Sequence, residues 1–142
     1  MNSEDLNILL DVALSKGCDE LEKQGFVHPF AISLGRDGEI QVSGEFKAAE
    51  LSGDPEHFLA ELHATLALSC AAGKYRGTAV GCQVKVVRFK NEGAVTAIEV
   101  LIEHQDGTAV DCFLPFKMTA GGKPTYGSVW SIAAENRKFI KN

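Results

Sequence analysis

Apolar residues recur along this chain with two different periods. From Ser3 to Gln24 the residues Leu6, Leu10, Ala13, Leu14, Cys18 and Leu21 mostly fall three or four apart, the spacing that gathers side chains on one face of a helix. Ser3 serves as its cap and Gly25 as its stop. Gly17 inside this helix costs about 1 kcal/mol against Ala and so predicts a close contact or a bend. The segments Pro29 to Gly35 and Glu39 to Ser43 alternate instead. Around Arg36-Asp37-Gly38, only a three-residue loop with Gly38 left-handed sets Leu34 opposite Ile40 and Ile32 opposite Val42. A two-residue loop would set the apolar residues of one strand against the polar face of the other.

Asp54-Pro55-Glu56 carries a cap, a first-position proline and a first-turn acid, which together predict a second helix running to about Ala72 and stopped by Gly73. Its core stripe is Leu59, Leu62, Leu66, Ser69 and Cys70, and a second stripe, Ala60, Ala64, Ala67 and Ala71, holds nothing larger than a methyl group. After the basic turn Lys74 to Gly77 come three strands. The first, from Ala79 to Phe89, is expected at a sheet edge; the second centres on Ile98, Val100 and Ile102; the third runs from Thr108 to Phe116. Gln105-Asp106-Gly107 repeats the three-residue loop, aligning Ile102 with Val110, Val100 with Cys112 and Ile98 with Leu114. In the tail Ala120 to Pro124 is a loop, and Ser128 to Ala134 reads as a short helix or a strand, with the helix favoured, anchored through Trp130, Phe139 and Ile140.

The order helix, two strands, helix, three strands, terminal element resembles the roadblock dynein-light-chain and profilin-like arrangement. That resemblance lies in element order and lengths and carries no residue motif. It implies an α+β fold with a five-stranded antiparallel sheet of order 2-1-5-4-3 and helices packed on it. The chain also resembles small bacterial proteins of unassigned function. One residue speaks against the implied order: Pro115 would stand in a central strand, where it cannot donate a ladder hydrogen bond. In the antiparallel pairing of that strand with the first one, however, Pro115 would meet the end of the sheet where Pro29 begins its strand, and two prolines at one sheet end are tolerable.

Composition narrows the function classes. A chain of 142 residues suits a single domain over 1–142. No apolar run approaches the roughly 20 residues that span a bilayer, and Met1 to Asp5 lacks a secretory signal, so a cytoplasmic protein without membrane partners is expected. Cys18, Cys70, Cys82 and Cys112 stand far apart with no Cys-x-x-Cys pair, which predicts four thiols and no zinc or redox motif. The net charge of -5 disfavours nucleic acid. Residues 1–61 hold 13 acids and 4 bases while residues 62–142 hold 6 acids and 10 bases, a division expected to attract two layers of one domain to each other.

Catalytic arrangements mostly fail on geometry. In the register above Cys112 lies four residues from the partner of His104, about 13 Å at about 3.3 Å per residue, beyond the reach of a nucleophile and base. Cys82 is expected among core residues. His57 and Glu61 form a helical pair without the second histidine of a zinc motif, and His28 is a strand-entry residue. Glu99, Glu103 and Asp111 share one sheet face, either as paired carboxylates for acid–base work or, with Lys85 nearby, as a solvated charged face. Gly73-Lys74 and Gly121-Gly122-Lys123 are turns, not phosphate loops.

With no catalytic, cofactor or metal residue identified, the sequence predicts a non-enzymatic protein-interaction module. It would be homodimeric through Ala60, Ala64, Ala67 and Ala71 of the second helix and Gln83, Lys85 and Val87 of the edge strand, with an unknown protein as a further partner. Helix one is the competing neighbour for the alanine stripe. The alternative is a small-molecule sensor with its ligand between sheet and helix, and the third reading is an enzyme of unknown type. A cleft joining His104 to Asp111 would favour the last.

Overall fold

A computed structural model describes residues 3–43 and 55–139. The expected Asp54 cap and the Ile140 anchor lie outside the described residues. Helix α1 spans Ser3–Gln24 as its spacing predicts, with Glu4 and Asp5 in its first turn and Lys23 in its last, each sign matched to the helix dipole. Gly25 ends it at φ 75°, its N–H bonded to the Leu21 carbonyl. The fully buried line is Asp5, Leu9, Ala13, Gly17 and Leu21, flanked by the half-buried Leu6, Leu10, Leu14 and Cys18. Gly17 is there for a close contact, since a Cβ would lie 3.1 Å from the Ile98 side chain.

Strands β1 (Phe30–Gly35) and β2 (Ile40–Ser43) form the first hairpin, and helix α2 covers Pro55–Ala71. Strands β3 (Tyr75–Val87), β4 (Ala94–His104) and β5 (Ala109–Met118) follow as a meander, then β6 (Pro124–Tyr126) and β7 (Trp130–Ala133). Both hairpins adopt the anticipated registers, with Leu34 opposite Ile40 and Ile102 opposite Val110. Gly38 and Gly107 have φ of 90° and 95°, the left-handed conformation that a three-residue loop needs.

The sheet is antiparallel but is not the five-stranded 2-1-5-4-3 arrangement. Seven strands run β2-β1-β3-β4-β5-β6, with β7 also paired to β5. The neighbour of β1 is β3 and not β5, so β3 is paired on both sides from Gly77 to Gly81. Of the stretch Ala79 to Phe89 expected at an edge, Ala79–Gly81 is interior and Cys82–Val87 is paired to β4 alone. Small residues explain the choice. Gly77, Ala79 and Gly81 stand opposite Leu34, Ile32 and Phe30, and a Cβ on Gly81 would sit 2.3 Å from the Phe30 ring. Pro115 points the same way: β5 keeps it out of the middle of the sheet, in the gap between the residues paired to β7 and those paired to β6. There the Pro115 carbonyl accepts the Gly127 N–H.

The expected terminal helix is also replaced, by strand β7. Trp130 and Ile132 alternate with Ser131 and Ala133, and Trp130 stacks on Phe113 with ring centroids 5.1 Å apart. The helices lie on opposite faces of the sheet. On one face α1 packs against Phe30, Ile32, Leu34, Ala79, Ile98, Val100 and Ile102; on the other α2 sets Leu62 and Leu66 against Ala31 and Val80. Helix one is therefore not the neighbour of the alanine stripe. None of the described helices is long and apolar enough to cross a membrane.

Candidate functional site

Helix α2 buries Leu62, Leu66 and Cys70, the middle of its predicted core stripe, over β1 and β3. Its flank bearing Ala60, Ala64 and Ala67 then overhangs the β4–β5 side of the sheet, where methyl groups are too short to fill the space. A groove of about 580 Å³ remains between that flank, the sheet residues Leu101, Glu103 and Asp111, and the segment Ala134 to Lys138.

The C-terminal wall is held by two side chains. Asn136 Nδ2 donates to the carbonyls of His104 and Thr108 at 2.8 and 3.0 Å. Glu103 is only 1% exposed; its Oε2 accepts the backbone N–H groups of Arg137 and Lys138 at 2.8 and 3.0 Å, while Oε1 takes the buried Lys138 ammonium. A charge so far from water persists only when paired and hydrogen-bonded. The expected solvated face is thus incorrect for Glu103, because a segment 35 residues further along covers it. Lys85 is not beside these acids either. It pairs with Thr96, which places it on the α1 face by strand alternation.

Asp111 completes the floor, and Glu99 stands beside it. Burial, then the hydrogen bond and negative charge of Glu99, push the Asp111 carboxyl up to about 8. Two carboxyl groups can hydrogen-bond only by sharing a proton, so the pair holds one proton between them while that bond lasts. Oδ1 of Asp111 is buried without a hydrogen-bond partner among the described residues. The Cys82 thiol approaches Glu99 Oε1 at 3.7 Å; burial and then the Glu99 charge push it up to about 12. Cys82 is buried as expected, on the α2 side of the sheet across from Glu99. It is a thiol donor and no nucleophile. At the α2 wall, burial followed by the Lys138 charge lowers the His63 pKa, leaving a neutral imidazole at the groove rim.

A second polar cluster lies on the α1 face. His104 Nε2 meets Asp5 Oδ2 at 2.8 Å, and Arg76 donates to Asp5 Oδ1 at 2.9 Å. The Asp106 N–H donates to His104 Nδ1, so the ring proton resides on Nε2 and points at Asp5. Burial would raise the Asp5 pKa, but the hydrogen bonds from His104 and Arg76 and the Arg76 charge outweigh it and hold the carboxyl low. This cluster ties the first turn of α1 to the sheet. His104 and Asp111 stand on opposite faces, and no cleft joins them.

The residues expected to form an interface are separated. Ala60, Ala64 and Ala67 line the groove, Ala71 is exposed beyond it, and Gln83, Lys85 and Val87 project from the opposite sheet face. The expected helical pair of His57 and Glu61 is present on the surface at 3.0 Å. Among the described residues no group of three or more His, Cys, Asp or Glu side chains is arranged to hold a metal ion. Alternation alone placed the three acids on one face; nothing local marked Lys138 and Asn136 as their cover. Comparison with known proteins adds no relative: no family model, no curated protein and no solved structure matches this chain.

Proposed function

We propose that the chain is a small-molecule binding domain whose ligand lies between the sheet and α2. The observation that carries this reading is the groove itself, walled by the alanine methyls of α2 and floored by Leu101, Glu103 and Asp111, with Glu99 beside Asp111. Concave sites with apolar walls and a few convergent polar groups are the usual form of ligand pockets, and titratable groups with displaced pKa values concentrate in them. A ligand suited to it has a flat apolar body against Ala60, Ala64, Ala67 and Leu101, and a nitrogen head that donates to Asp111.

Native mass spectrometry of protein purified from its own host tests the reading. Wild type is expected to retain a small molecule, and Ala64→Trp or Ala67→Trp, which fill the groove, are expected to lose it while thermal unfolding stays cooperative. Retention unchanged in both variants would sink the groove as the binding site. Self-association through α2 and β3 as one surface loses its geometric basis, because the two sets of residues face opposite ways.

A further inference from the structure

Strand β3 outlasts its neighbour. Its pairing with β1 ends at Gly81 opposite Phe30, yet it continues through Cys82–Val87 with β4 on one side only. Along such a strand every second residue directs both its N–H and its C=O to the open side. Gln83 marks the limit of the cover, its side-chain oxygen accepting the Val27 N–H at 3.1 Å. Among the described residues no backbone group pairs with Cys82–Val87 on that side.

We propose that Cys82–Val87 is a docking edge for an extended acidic segment of a partner protein, which adds to the sheet as an antiparallel or parallel strand beside β3. Backbone pairing supplies the affinity in this mode, and alternate side chains supply the selectivity. Charge identifies the occupant. Lys85 and Lys90 are exposed along and just past the open stretch, and neither has an ion-pair partner among the described residues, whereas Arg88 turns the other way, across β4. Arg88 is braced between the Phe89 and Trp130 rings, 4.8 and 4.9 Å from their centroids.

The same charges disfavour a second copy of this chain. Two-fold pairing of the edge with itself would bring the two Lys85 side chains together, and like charges across a strand pair are destabilising. An acidic guest meets no such opposition. Alternation also sets its pattern: Val84 and Val86 flank it on the α2 side, whereas Gln83, Lys85 and Val87 flank it on the α1 side. The complementary strand therefore alternates aliphatic residues with Asp or Glu.

The probe is an acetylated, amidated peptide of four Glu-Val repeats, titrated into uniformly ¹⁵N-labelled full-length protein at low salt. Binding is expected to slow hydrogen exchange at alternate amides of 82–87 and to weaken by about tenfold or more in Lys85→Glu/Lys90→Glu, an exposed pair whose reversal leaves the core intact. The same peptide N-methylated at every second residue keeps its charge but loses its pairing edge, and it is expected not to bind. Equal binding of the methylated peptide would overturn the proposal in favour of loose charge attraction. Absence of binding, or protection of 82–87 by concentration-dependent dimerisation of the protein alone, would overturn it as well.

Discussion

Gly81 has no room for a side chain, because the Phe30 ring already occupies the place of a Cβ. Gly81→Ala is expected to cost about 1–3 kcal/mol through overpacking, read as a lower urea midpoint with an unchanged slope. Two carboxyl groups act on stability with opposite signs. Asp111 is raised to about 8 from an ordinary value of 3.8, so between those values the folded chain holds a proton that the unfolded chain has released. Stability then falls as pH rises through that window and levels off above it. Asp111→Asn, which cannot ionise, is expected to flatten this slope in melting temperatures measured from pH 4 to 8. Asp5 is lowered, and its contribution is present above the ordinary carboxyl range and disappears as pH falls through its folded value. The common face of Glu99, Glu103 and Asp111 was legible in the sequence because strand alternation is a local rule. The dryness of Glu103 was not, because its cover comes from a distant segment.

At the scale of elements, the structure follows the sequence wherever one short segment constrains itself. Gly38 and Gly107 were legible because a single loop length leaves a dry face on each hairpin, and the helix ends at Gly25 and Gly73 were legible because a positive φ stops the ladder. Strand order was not, since Gly77, Ala79 and Gly81 reveal their purpose only beside Phe30 and Leu9. Pro115 was the one residue that counted against the implied order, and reading it as tolerable beside Pro29 was mistaken, since β5 pairs β4, β6 and β7 and not β1. The segment Ser128 to Ala134 carries too few residues to show a period, and its strand character comes from pairing with β5. The tail that follows has a measurable anchor. Lys138→Ala strands the buried Glu103 carboxylate, which is expected to cost about 3–5 kcal/mol; a loss under about 1 kcal/mol in urea denaturation would contradict the pairing described.

For the whole molecule, the sheet divides two different tasks. Its α1 face carries the larger apolar cluster, and its α2 face carries a smaller cluster beside the groove and the carboxyl pair. Changes on the α1 face should therefore move stability, and changes along Ala60, Ala64 and Ala67 should move ligand retention with little loss of stability. The bridge from Asp5 to His104 joins residues 99 positions apart. A contact this distant in sequence closes late, so Asp5→Asn is expected to speed unfolding and leave the folding rate nearly unchanged in stopped-flow measurements. The same bridge bears on how the chain is made. Helix α1 leaves the ribosome before the sheet it packs on, and the strand that ends at His104 emerges about 5–20 s later at about 5–20 residues per second. For that interval in every round of synthesis the apolar side of α1 has only part of its sheet to lie on, and the nascent chain leaves the rest of it bare to whatever waits at the exit tunnel.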